Sequence, residues 1–87
     1  MNGAAAPSLG KGVMLRRDRD GTPMLLVPEG ALMLNPTAAA ALELVDGRRT
    51  LDEIVAGVVE RFDVPPEVAR EEIGELLRRL TERGFVR

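Results

Sequence analysis

Carboxylates are the chemistry-bearing side chains this chain has in quantity: fourteen aspartates and glutamates, against no histidine and no cysteine. A pair of them could act as general acid and base, and a cluster could hold a metal. Their spacing argues for neither. Glu67, Glu71, Glu72 and Glu75 crowd one stretch and Arg78, Arg79 and Arg83 follow it, which is the order that the macrodipole of one helix favours. Glu75 also stands four residues before Arg79, a stabilising spacing on a helix surface. These are the charges of a solvated helix face. Asp18, Asp20 and Gly21 match the opening of a calcium loop, but the spacing fails beyond the first ligands, and turn chemistry is the reading. Without histidine or cysteine the usual general base, thiol nucleophile and zinc ligands are missing. The composition predicts no catalytic residue, no metal ligand and no cofactor: a binding module, not an enzyme.

Arg70, Arg78, Arg79 and Arg83 could instead meet phosphate. Glutamates interleave them, the formal net charge is −2, and two phenylalanines with no tyrosine or tryptophan leave little to stack on bases. Nucleic acid is therefore not expected as a partner, and a winged-helix DNA-binding protein stands only as the alternative. No apolar run approaches the ~20 residues of a membrane span, and the N-terminus lacks the hydrophobic core of a signal peptide. A soluble, cytoplasmic protein is expected.

The elements that would position a binding surface follow from turn and cap residues. Residues 1–12 are alanine, glycine, serine and proline with one lysine, and read as a flexible tail or linker remnant before a single domain over 13–87. Val13–Arg16, Met24–Val27 and Ala31–Leu34 read as three short strands. Asp20-Gly21 supplies the first turn, and Pro28-Glu29-Gly30 the second, with Gly30 in the left-handed position of a bulged loop. Asn35-Pro36 opens a first helix as N-cap and first helical residue. Its buried stripe is Ala38, Ala41, Leu42 and Val45, with Asp46-Gly47 as the stop. Thr50 and Glu53 form a capping box for a second helix, with Leu51, Ile54, Val55, Val58 and Phe62 on one face. Pro65-Pro66 starts a third, whose stripe is Ala69, Ile73, Leu76, Leu77 and Leu80. Gly84 ends it, and Phe85-Val86 folds back onto the core. The plan is α+β: a three-stranded antiparallel sheet followed by three helices, βββααα, similar to a winged helix-turn-helix.

The third strand carries the functional expectation. Natural sheets defend their edges with charge, proline or bulges. The first strand runs into Arg16, Arg17 and Asp18, but Ala31, Leu32, Met33 and Leu34 carry no charge. Leu32 and Leu34 can face the helices, leaving Ala31 and Met33 on the other side. Such an edge can accept an extended peptide as a further strand, or could pair with a second copy in a homodimer. Ordering a peptide residue costs about 1–2 kcal/mol, while each new ladder hydrogen bond returns about 0.5–1.5. Useful affinity therefore needs side chains anchored in pockets, at about 1.5–3 kcal/mol each. The groove between the third strand and the third helix is the place for them, with Gly74 keeping one flank low. Periodicity does not separate groove from core between Leu76 and Leu77.

Leu25-Leu26-Val27-Pro28-Glu29-Gly30, Leu34-Asn35 opening a helix, Asp46-Gly47 closing it and Thr50…Ile54 in the next together resemble the PqqD family, small proteins of pyrroloquinoline quinone biosynthesis. The resemblance spans roughly Lys11 to Val86. It implies a RiPP recognition element, a βββααα fold that binds the precursor of a ribosomally made, modified peptide. The implied partners are the precursor peptide PqqA and the radical SAM enzyme PqqE, to which the peptide would be presented for cross-linking of a glutamate and a tyrosine. In related domains the peptide lies along the third strand and against the third helix. Carried to this chain, those positions are Ala31, Leu32, Met33, Leu34 and Asn35, with Ile73, Leu76, Leu77 and Leu80 and Arg70 nearby. Val27 stands where the family often has an aromatic residue. Members fused to other enzymes of the pathway would suit a linker-like segment over 1–12.

Overall fold

The computed structural model describes residues 6–87, so the start of the expected tail, residues 1–5, lies outside the described residues. Three strands, β1 (Met14–Arg17), β2 (Pro23–Val27) and β3 (Gly30–Met33), form an antiparallel meander in the order β1-β2-β3. Three helices follow: α1 (Pro36–Glu43), α2 (Leu51–Arg61) and α3 (Pro66–Glu82). The architecture is the expected βββααα.

Both hairpins close by chemistry slightly displaced from the expectation. In the first, Asp18 rather than Asp20 bonds the turn: its Oδ1 accepts the N–H groups of Asp20 and Thr22, each at 2.9 Å. Gly21 takes φ 82° there, a conformation that side chains resist. In the second, Gly30 pairs directly with Val27, so Pro28-Glu29 alone make the loop. Gly30 at φ 155° belongs to the strand and not to the corner of a bulge.

The strand register sorts the sheet's two faces. Leu15, Leu25 and Leu32 stand in one row across the three strands. Leu25 is completely buried, and the other two pack against the same core. The neighbouring rows, Met14–Leu26–Ala31 and Arg16–Met24–Met33, point the opposite way because side chains alternate along a strand.

Helix α1 starts as expected: the Asn35 side chain accepts the Ala38 N–H at 2.7 Å, with Pro36 in the first turn. Its buried residues are Ala39, Ala40, Ala41 and Leu42. Ala38 is only half-buried, because its side faces a groove and not the core. The helix ends at Glu43, short of the expected stop at Gly47. Leu44 and Val45 leave it through bonds to Ala41 and Leu42 three residues back, and Val45 remains in the core. Asp46 Oδ1 then accepts the Arg48 and Arg49 N–H groups and turns the chain toward α2. The capping box is complete, with Thr50 Oγ1 accepting from Glu53 N–H and Glu53 Oε1 from Thr50 N–H. Leu51, Ile54, Val55 and Val58 of α2 meet Ala69, Ile73, Leu77 and Leu80 of α3 in one core, which Phe85 and Val86 close from the C-terminal side.

The segment before the sheet is not loose where it is described. Pro7 is fully buried, and its carbonyl accepts the Gly47 N–H at 2.8 Å. Ser8 and Arg87 exchange both backbone hydrogen bonds, and Gly10 N–H donates to Phe85 at 2.8 Å. Residues 7–10 thus clasp the C-terminal strand-like segment. Gly10 is required at the crossing, since a Cβ there would lie 2.6 Å from the Gly84 carbonyl oxygen. The clasp is held by backbone groups and one proline, so it carries no side-chain periodicity, and residues 7–10 are not the flexible tail expected over 1–12.

Candidate functional site

The meander leaves β3 with only one neighbour, and among the described residues no helix closes on it. Which backbone groups of β3 are free follows from one bond. Leu34 N–H donates to the Pro23 carbonyl at 3.1 Å, so Leu34 and Leu32 point their backbone groups toward β2. By alternation the N–H and C=O of Ala31 and Met33 point outward from the edge. Ala31 is exposed and Met33 is 61% exposed, while Leu32 and Leu34 pack inward against the core. The opposite edge is guarded as expected. Arg17 of β1 reaches the Gly21 carbonyl at 2.9 Å and Glu43 of α1 at 3.5 Å.

Two residues past β3, Asn35 enters the lining of a groove of about 500 Å³ between the start of α1 and the length of α3. Asn35, Thr37 and Ala38 form one wall; Val68, Glu71, Glu72, Ile73, Glu75, Leu76 and Arg79 form the other. Of the expected anchors, Ile73 lies deep in the floor at 1% exposure, and Leu76 is half-buried and lines the groove. Leu77 is fully buried, and Leu80 lies in the core with it. Neither lines the groove, nor does Arg70, which pairs with Asp52 of α2. Gly74 is also absent from the lining, and a Cβ on it would meet nothing within 4 Å.

Helix α3 therefore carries two stripes. The stripe of Ala69, Ile73, Leu77 and Leu80 serves the core; a second, of Val68, Glu72, Leu76 and Arg79, serves the groove. Half of the groove stripe, Glu72 and Arg79, is charged and gives no apolar period; Leu76 is among the expected anchors, and Val68, 41% exposed near the start of the helix, is the apolar member that the sequence reading lacks. Glu75 is engaged already: Arg78 donates through Nη2 at 2.6 Å and Nε at 3.1 Å, and Arg78 Nη1 also donates to Glu82 at 2.6 Å. The hydrogen bonds from Arg78 hold the Glu75 carboxyl below its ordinary range, and that pairing raises Arg78 in turn. Glu71, Glu72 and Arg79 make no ion pair among the described residues.

The chemistry available here is that of binding. Backbone donors and acceptors on β3 can extend a ladder, and an apolar floor beside them can take side chains. Among the described residues no group of three or more histidine, cysteine, aspartate or glutamate side chains is placed to hold a metal ion. Nor is any helix long and apolar enough to cross a membrane.

Comparison with known proteins places this geometry. Residues 24–86 match the family of coenzyme PQQ synthesis protein D (PqqD). A PqqA binding protein of Rhizobium meliloti strain 1021 is 34% identical over 87 residues, covering 99% of this chain and 89% of that protein. Among solved structures, the solution structure of the PqqD portion of Methylobacterium extorquens PqqCD superposes with a TM-score of 0.83 at 32% identity, over 100% of this chain and 94% of that one. That protein is described as a functional, stand-alone RiPP recognition element. Lasso peptide synthetase B1, solved with its leader peptide, shares the fold with a TM-score of 0.77 at 21% identity, over 95% of this chain and 99% of that one.

Proposed function

The chain belongs to the PqqD family of coenzyme PQQ synthesis proteins, and from that premise we propose that it binds the precursor peptide PqqA by strand addition along β3 and presents it to the radical SAM enzyme PqqE. The observation that carries this reading is the junction of an uncovered strand edge with a groove. Ala31 and Met33 offer outward backbone groups, and Asn35, two residues on, already lines the groove beside α3.

The two parts need one another energetically. A peptide of four residues pairing with β3 gains a ladder whose return roughly offsets the cost of ordering it, at about 1 kcal/mol per residue on each side. Specific affinity then comes from one or two apolar side chains seated on Val68, Ile73 and Leu76, each contributing about 1.5–3 kcal/mol. The protein's part is to hold and orient the peptide, leaving the cross-linking chemistry to PqqE.

Calorimetric titration with PqqA tests the binding half. The unmodified protein is expected to bind, and Met33→Pro, which removes one outward donor but no bond to β2, to bind at least tenfold more weakly at little cost in melting temperature. Equal affinity of the two proteins would contradict strand addition. For presentation, the peptide-loaded protein should co-elute with PqqE in gel filtration. Separate elution at micromolar concentrations would remove that half.

A further inference from the structure

We infer that the groove selects its peptide by a charge pattern: a cationic side chain and an acidic one on the same side of the strand, about four residues apart, with an apolar anchor midway. This rests on the peptide-binding reading above and specifies which peptide the site accepts. The groove's two ends are electrically unlike. Glu71 and Glu72 stand toward the start of α3 and Arg79 toward its end, all three exposed and without an ion pair among the described residues. Glu75, between them, is neutralised by Arg78. The helix macrodipole favours acid before base along α3, but does not require both ends of that order to border one apolar floor.

The spacing sets the pattern. Seven to eight residues of helix separate Glu71 and Glu72 from Arg79, a distance of about 10–12 Å along the axis. An extended peptide turns the same side to the groove every second residue, at about 6.8 Å, so positions i and i+4 lie about 13.6 Å apart. Long side chains close the difference. For a peptide running alongside α3, the residue at i+2 then falls over Ile73 and Leu76. A peptide with the pattern meets an opposite charge at each end, and one with the charges exchanged meets repulsion at both, which makes the ends discriminate more than they attract.

The test uses the whole chain and synthetic PqqA, with affinity measured at low salt and in about 0.5 M salt, where surface charges are screened. Glu71→Lys with Glu72→Lys, and separately Arg79→Glu, should each weaken binding by about fivefold to tenfold at low salt and by less than about twofold in high salt. Because lysines early in a helix can lower stability, Glu71→Gln with Glu72→Gln is measured alongside, with an expected loss of about threefold. Exchanging a lysine or arginine of PqqA for glutamate should restore binding to the doubly lysine-substituted protein at one peptide position. Affinities within about twofold of the unmodified protein for all three variants, or losses that salt does not reduce, overturn the inference while leaving strand addition standing. Absence of any binding by the unmodified protein would overturn the peptide-binding reading itself.

Discussion

Leu76 and Leu77 are neighbours in sequence with the same side chain, and the structure gives them different work. Replacing each with alanine should separate stability from binding. Leu77 is completely buried, so Leu77→Ala removes a full core side chain and leaves a cavity, at a cost of about 3 kcal/mol. In a domain of this size each 1 kcal/mol moves the melting temperature by roughly 4–8 °C, so a fall of about 12–24 °C is expected. Leu76 is half-buried against the groove, so Leu76→Ala should cost about 1 kcal/mol, or no more than about 8 °C. For binding the order reverses. Losing the part of Leu76 that a peptide would cover should cost about 1.4 kcal/mol, a tenfold weaker Kd for PqqA, while Leu77→Ala, measured below its own melting temperature, should change Kd by less than about threefold. Differential scanning calorimetry and a peptide titration on the same three proteins supply both axes. Equal losses of melting temperature, or an unchanged Kd for Leu76→Ala, would refute the assignment of the two stripes of α3.

Gly10→Val would place a Cβ 2.6 Å from the Gly84 carbonyl oxygen, so the clasp should open; loss of hydrogen-exchange protection at the Gly10 and Arg87 amides checks this, and retained protection counts against it. Asp46 is held below the ordinary carboxylate range by the Arg49 and then the Arg48 backbone N–H, with the Arg49 guanidinium adding to them. A depressed folded-state pKa gives stability that is present above the unfolded value near 3.9 and is lost as pH falls through the lower, folded one. Asp46→Asn should therefore flatten the acid limb of a stability–pH profile below about pH 4, and an unaltered limb would show that Asp46 contributes nothing there.

What could be read in the sequence was local. The Asn35-Pro36 start and the Thr50–Glu53 capping box involve residues within four of each other, and the structure has both. The alternation that sends Leu32 inward and Met33 outward is equally local, and with it the bare edge. What failed depended on distant backbone. The 7–10 clasp is built on the N–H of residue 47 and backbone groups of residues 85 and 87, which leave no periodic trace in the chain that meets them. The end of α1 at Glu43 was missed for a related reason, because its last turn tightens before any glycine. It is the family resemblance that sets Leu77, Leu80 and Arg70 beside the peptide; helical spacing shows which residues share a face, but not which of two faces meets the core. In the sequence Glu71, Glu72 and Arg79 read as solvated helix charge, with Arg79 also a candidate phosphate contact, since the wall opposite them comes from another helix.

The central claim is that β3 is an acceptor edge, and amide hydrogen exchange of the protein alone and saturated with PqqA tests it most directly. The outward N–H groups of Ala31 and Met33 should exchange freely without peptide and become protected with it, while the Leu32 and Leu34 amides, already bonded to β2, change little. Saturating peptide that leaves Ala31 and Met33 as exposed as before would contradict the account.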